Sequence, residues 1–312
     1  MFPSGPLRGI VPPLVTPLCD GAALDVPALH RVIDRVLAGG VHGVLLLGST
    51  GEFASLTVNV RREMIEESCS YIAGRVPVIV NVSSTCLAES LELAEQAARA
   101  GAAALSISPP YYFPMHQLEL QRYIRRFCDR VTLPVWLYNI PKYAHTPFGT
   151  DTVRSLVELP NIVGIKNSSG SIPYLRTIRR VTSHRPEFSL LVGNEETLLP
   201  AMDAGAHGGV CGGANVFPGL FVSLYETASN GRHTEAELLQ SLIARIGNDI
   251  YTVGPASSSY LRGLKYALQS LGVCGDTVAA PFDTFTPPEK SQIDERLQKL
   301  LRFLNNSGLI RK

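Results

Sequence analysis

The segment Val163–Gly170, VGIKNSSG, puts Lys166 at the end of a short apolar run, with small polar residues after it. Such a run reads as a buried strand, and burial disfavours the ammonium form of a lysine. A free amine attacks ketones and aldehydes and forms a Schiff base with them. A lysine paired with a carboxylate is the alternative for this position. Only six of the 28 basic residues are lysines, so arginine carries the routine positive charge. Lys265 is the competing lysine, but it lies in an amphipathic helical pattern, where a solvated or snorkelling side chain is expected. Tyr138 closes the preceding apolar run in YNIP, and its hydroxyl could carry protons to and from a carbinolamine. The alternative for Tyr138 is a core aromatic bonded to backbone. GSTGEF, Gly48–Phe53, offers backbone N–H groups and two hydroxyls in a tight turn suited to gripping a carboxylate. It is neither a phosphate loop nor a dinucleotide fingerprint. The seven histidines show no HxH or HExxH spacing, so no metal is expected. Glu195 and Glu196, in GNEE, could hold a metal, bind substrate hydroxyls or face solvent.

These residues need elements to place them. Eight short apolar runs recur: Gly9–Leu14, Gly43–Leu47, Val76–Val80, Ala103–Ile107, Leu133–Tyr138, Ile162–Ile165, Phe188–Val192 and Gly208–Cys211. They are continuous rather than alternating, as strands buried on both faces are. Helical spacing fills the gaps, as in Leu29, Val32, Ile33, Val36 and Leu37, in Leu120, Tyr123, Ile124 and Phe127, and in Leu175, Ile178 and Val181. Repeated βα units imply a parallel sheet. Eight of them imply an α/β fold of the (β/α)8 TIM-barrel type, with a doubly wound open sheet as the alternative. The last segment carries helical patterns only, so a catalytic barrel over 1–220 and a C-terminal helical extension over 221–312 are expected. In such a barrel the chemistry sits at the C-terminal strand ends. GSTGEF, PPYYF, YNIPK, Lys166, GNEE and CGGAN all fall there.

The net charge of +1 and the absence of a basic run argue against nucleic acid or an acidic membrane surface as the main partner. Six scattered cysteines without a CxxC pair read as reduced thiols of a cytoplasmic protein. The proline-rich start shows no signal-peptide pattern, and no apolar stretch is long enough for a membrane span.

Taken in order, GSTGE, PPYY, YNIP, GIKNSSG and the late GxE resemble the dihydrodipicolinate synthase / N-acetylneuraminate lyase family, over about residues 8–300. The resemblance implies a pyruvate-handling lyase or aldolase on a (β/α)8 barrel, with no metal or organic cofactor. Lys166 matches the family's Schiff-base lysine, Tyr138 its proton-relaying tyrosine, and Ser49 the hydroxyl of the relay. Thr50, in the turn opened by Gly48, matches the group that holds the pyruvate carboxylate. Tyr112 matches the residue that a neighbouring subunit inserts, which implies a homodimer or homotetramer. Gly193 and Val210 match positions lining the pocket. In one respect the pattern departs. The synthase branch has an arginine two residues after the proline of YN-x-P; here Tyr143 holds that place, and Lys142 precedes it. The expected activity is making or breaking a C–C bond between pyruvate, or another 2-oxo acid, and an aldehyde. Synthesis of 4-hydroxy-tetrahydrodipicolinate from aspartate semialdehyde and dehydration of sugar acids are the alternatives within the family. A barrel that binds a phosphorylated substrate at GNEE and GGVCGGAN, without an imine, is the alternative outside it.

Overall fold

The computed structural model describes residues 5–19 and 22–307. The first four residues of the proline-rich start and the last five of the expected extension lie outside the described residues. Eight short strands alternate with helices. The strands are β1 Gly9–Ile10, β2 Val44–Leu46, β3 Val78–Asn81, β4 Ala104–Ile107, β5 Val135–Asn139, β6 Ile162–Asn167, β7 Ser189–Val192 and β8 Gly208–Gly209. All pair in parallel, in the order β1-β8-β7-β6-β5-β4-β3-β2. The two ends meet through a parallel bridge between Pro13 and Leu45. There Leu45 N–H donates to Pro12 O, and Leu14 N–H donates to Leu45 O, each at 2.9 Å. The expected TIM barrel is therefore the fold, and each of the eight apolar runs supplies one strand.

The continuous apolar runs reflect burial on both faces. Val11, Leu45, Ile79, Ala104, Trp136, Leu191 and Val210 pack together inside the barrel. Their chain neighbours, such as Val44, Leu46, Val78, Val80, Val135 and Leu137, point outward into a second core beneath the helices. This is the filled interior of a packed barrel rather than a pore.

The helices are α1 Val26–Ala38, α2 Val58–Ile72, α3 Leu87–Arg99, α4 Gln117–Cys128, α5 Pro141–Ala144, α6 Thr150–Leu156, α7 Ile172–Val181, α8 Leu198–Asp203, α9 Pro218–Ser229, α10 His233–Ile250, α11 Ser259–Ser270 and α12 Pro287–Ser307. The longer helices bury an apolar stripe in the outer core. In α1, for example, Leu29, Val32, Ile33 and Val36 are buried. Side-chain caps satisfy backbone donors at several starts. Asp25 accepts from Ala28 N, and His116 pairs with Glu119 in a capping box. A division at residue 220 falls inside α9. Helices α10, α11 and α12 contribute Leu242, Ile243, Leu264, Leu268, Leu297 and Leu300 to the same outer core as the barrel helices.

Candidate active site

Tyr138 and Lys166 are each the penultimate residue of their strand, and β5 and β6 pair in a register that sets them side by side. Trp136, two residues before Tyr138, lies in the barrel interior. The period of two therefore aims Tyr138 inward as well, at the C-terminal mouth. The Lys166 Nζ lies 3.9 Å from the centroid of the Tyr138 ring. Both side chains are buried, at 5% and 2% relative exposure. A lysine this enclosed, facing an aromatic ring, is the site's nucleophile candidate. The outward side chains on either side of it serve the scaffold. Asn139 Nδ2 donates to Asn167 Oδ1 at 2.9 Å, and Asn139 Oδ1 accepts from Phe148 N.

The Gly48–Glu52 turn follows β2 and arches to the same mouth. Ser49 Oγ and Tyr138 Oη share a hydrogen bond at 3.2 Å. The turn is tight, with Gly51 N–H donating to Gly48 O and Glu52 N–H to Ser49 O. Its entry is strained: Leu47 has a φ of 56°, uncommon for a side chain of this kind. Asn81 Nδ2 holds the Leu47 carbonyl at 2.7 Å, and Thr16 Oγ1 donates to Gly51 O at 2.8 Å. Among the described residues no backbone carbonyl accepts from the N–H groups of Ser49 or Thr50. Two adjacent free donors beside a hydroxyl form a concavity suited to an anion.

Gly193 ends the β7 segment against this cluster. A Cβ there would clash with the Ser168 side chain, 2.1 Å from its Oγ, and would lie in ordinary contact with Lys166 Cε at 3.5 Å. Val210 follows β8 directly and packs with the residues of the barrel interior at 3% exposure. Lys166, Tyr138, Ser49, Thr50, Gly48 and Gly193 thus converge from four strand ends. Tyr112 stands apart. It is 74% exposed and stacks edge-on against Phe113, with ring centroids 4.8 Å apart. Its neighbour Tyr111 packs instead beside Tyr138, Ile140 and Ala144.

Further groups at the mouth come from the C-terminal helices. Tyr260, on α11, shares a 3.2 Å hydrogen bond with Thr50 Oγ1. Its ring meets that of Tyr251 edge-on at 4.8 Å. Tyr251 Oη donates to Glu195 Oε1 at 2.6 Å, and Gly213 N–H donates to Glu195 Oε2 at 2.9 Å. Glu195 is buried, and Glu196 is exposed. Burial raises the Glu195 carboxyl to about 7, against the opposing pull of the Tyr251 and Gly213 hydrogen bonds. Burial and the nearby Glu195 also hold both tyrosines well above their ordinary range. Of the two, Glu196 faces solvent, whereas Glu195 does not, and each of its oxygens accepts a hydrogen bond from the protein itself. Lys265 departs from expectation. It is fully buried and ion-paired with Glu52. Its helical spacing resembles that of a surface lysine because the α11 face it sits on is covered by other elements, which spacing alone does not reveal. Tyr260 carries no site signal in the sequence, since its spacing with Leu261, Leu264 and Leu268 is simply that of a helix. Among the described residues no group of three or more His, Cys, Asp or Glu could hold a metal.

A family model described as the dihydrodipicolinate synthetase family matches residues 6–300. The chain belongs to this family. A 4-hydroxy-tetrahydrodipicolinate synthase of Phenylobacterium zucineum is 31% identical, with 97% of this chain and 98% of that one covered. A probable 2-dehydro-3-deoxy-D-pentonate aldolase of Escherichia coli is 32% identical over the same shares. Among solved structures, a dihydrodipicolinate synthase from Bacteroides thetaiotaomicron superposes with a TM-score of 0.93 at 45% identity, covering 95% of this chain and all of that one. A prophage protein of the family from E. coli K12, solved with pyruvate, gives 0.89 at 29% identity over 94% and 98%. The family's members are pyruvate-dependent aldolases and lyases, and this chain is an enzyme of that class. The names of its relatives range from DapA-like lyase through synthase to sugar-acid aldolase.

Proposed function

We propose that this enzyme is a Schiff-base lyase or aldolase that joins pyruvate, or another 2-oxo acid, to an aldehyde lacking a carboxylate, or cleaves the product. The observation that carries the reading is Lys166, enclosed at the end of β6 with its Nζ over the Tyr138 ring, while Tyr138 shares a hydrogen bond with Ser49. The neutral amine attacks C2 of the oxo acid to give a carbinolamine. Loss of water then leaves the iminium. Tyr138, in contact with Ser49, moves the protons. The free N–H groups of Ser49 and Thr50 receive the carboxylate. Loss of a C3 proton gives the enamine, whose electron pair forms the C3–C4 bond to the aldehyde carbon. The aldehyde oxygen takes a proton, and hydrolysis of the imine frees Lys166. The reverse sequence cleaves the same bond.

The acceptor is inferred from the loop after β5. Where the synthase branch carries its carboxylate-binding arginine, Tyr143 is 48% exposed. Lys142 is exposed too, with its Nζ 5.3 Å over the Tyr143 ring. Neither offers the planar bidentate fork of a guanidinium. This favours an uncharged acceptor over aspartate semialdehyde. The second reading, synthesis of 4-hydroxy-tetrahydrodipicolinate, is favoured by the 45% identity to the Bacteroides structure named dihydrodipicolinate synthase. The working unit proposed is a dimer or a doubled dimer in which Tyr112 completes a neighbour's site. The exposed Tyr112–Phe113 pair supports it. The six free cysteines fit a reducing, cytoplasmic setting.

Incubation with pyruvate followed by borohydride, then peptide mapping, tests the chemistry. The expected product is a reduced adduct on Lys166. An unmodified Lys166, or an adduct that survives Lys166→Ala, would sink the reading. A panel of acceptors tests the specificity. Neutral hydroxyaldehydes should be consumed with pyruvate at higher kcat/KM than aspartate semialdehyde, and the opposite ranking would favour the synthase.

A further inference from the structure

Glu52 closes the Gly48–Glu52 turn in the left-handed region, at φ 58°. For a residue with a side chain this costs on the order of 1 kcal/mol and persists only where the surroundings impose it. Its side chain leaves the turn and enters the C-terminal extension. Oε2 accepts from Ala279 N at 2.7 Å, and Oε1 forms an ion pair with Lys265 Nζ. Lys265 Nζ also donates to Thr277 O at 2.6 Å. The two side chains are 0% and 1% exposed. Burial pulls the ammonium of Lys265 down, and Glu52 pulls it back up.

A charge pair so fully desolvated is weak evidence for stability, since well-packed apolar residues of similar volume often serve as well. Its geometry is more telling. Lys265 and Tyr260 lie five positions apart on α11 and meet the turn two residues apart, at Glu52 and Thr50. The helix therefore grips the turn on both sides of Gly51. Loop 277–279, which follows α11, holds the remaining oxygen of Glu52 and the ammonium of Lys265.

We infer that the Glu52–Lys265 ion pair is a positioning device for the oxo-acid site, making the C-terminal extension a working part of the active site rather than a cover for the barrel. Neither residue touches the substrate. The pair fixes the left-handed end of the turn and thereby aims the Ser49 and Thr50 donors at the carboxylate. The inference rests on the reading that this turn receives the oxo-acid carboxylate.

The test measures borohydride trapping of pyruvate on Lys166 as a function of pyruvate concentration, alongside thermal unfolding. Wild type is compared with Lys265→Met, Glu52→Gln and the double variant, which removes both buried charges at once. Half-saturating pyruvate should rise roughly tenfold or more in all three, because misplacement of binding groups by about an ångström is costly. The double variant should unfold closest to the wild-type temperature. If the double variant does not fold, Glu52→Asp, which keeps the charge but shortens its reach, is read in the same way. Unchanged half-saturation with only a lowered unfolding temperature would overturn the inference and leave a purely structural pair. An absence of trapping in wild type would overturn the imine reading itself, and the inference with it.

Discussion

At the scale of single residues, the proposed mechanism separates groups that react from groups that hold them. Tyr138→Phe removes one hydroxyl and its bond to Ser49. If that hydroxyl carries protons, kcat should fall by about 10²- to 10⁴-fold, while thermal unfolding shifts little. A loss below threefold in steady-state kinetics would move the proton relay elsewhere. Glu195 gives a prediction about pH. Its carboxyl, raised by burial to about 7 from an ordinary 4.5, keeps in the folded state a proton that the unfolded chain has already lost. Stability therefore declines as pH rises from about 4.5 to about 7, by about 3 kcal/mol. Glu195→Gln mimics the protonated form. Its amide can donate to Tyr251 Oη while its carbonyl accepts from Gly213 N–H. Urea unfolding at several pH values should show the variant gaining on wild type across that window, and parallel curves would contradict the assignment. Lys166 and Tyr138 were legible in the sequence because each terminates an apolar run. Glu195 was visible but unassigned, because its partner Tyr251 lies 56 residues further on, and single-sequence patterns do not pair such positions.

At the scale of elements, strands were easier to read than the contacts between helices. Burial on both faces makes every strand a continuous apolar run, so all eight could be placed to within a few residues. Helix α2 was harder. Its buried face includes Ser68 and Cys69 along with Val60, Met64, Ile65 and Ile72, which blurs the apolar stripe. The packing of α11 was not legible at all. Gly263 shows how close that packing is, since a Cβ there would stand 2.2 Å from the Ile250 carbonyl oxygen. Gly263→Ala must push α11 away from the end of α10. The expected cost is about 1–3 kcal/mol of stability, read by chemical denaturation. Because Tyr260 and Lys265 move with α11, half-saturating pyruvate should rise as well. A variant that loses stability while binding pyruvate normally would show that α11 does not set the site.

At the scale of the whole molecule, the barrel gathers residues from four strand ends and the C-terminal helices into one mouth, and leaves beside it the most exposed aromatics among the described residues. Tyr112 and Phe113 are 74% and 75% exposed, a costly display of apolar surface unless another surface covers it. Sedimentation should show a dimer or larger at micromolar concentration, and Tyr112→Ser with Phe113→Ser should shift it toward monomer and lower kcat. A wild-type monomer with full activity would contradict the shared site. The family was legible in the order of the motifs, whereas the acceptor was not, because it depends on what fills the place of one absent arginine. The central claim is that Lys166 becomes covalently joined to the oxo acid with its carboxylate in the Gly48–Glu52 turn. A crystal structure of the enzyme soaked in pyruvate tests this most directly. Continuous density from Lys166 Nζ to C2, with the carboxylate on the Ser49 and Thr50 N–H groups, is the predicted result. Pyruvate bound without a bond to Lys166, or with its carboxylate held elsewhere, would contradict it.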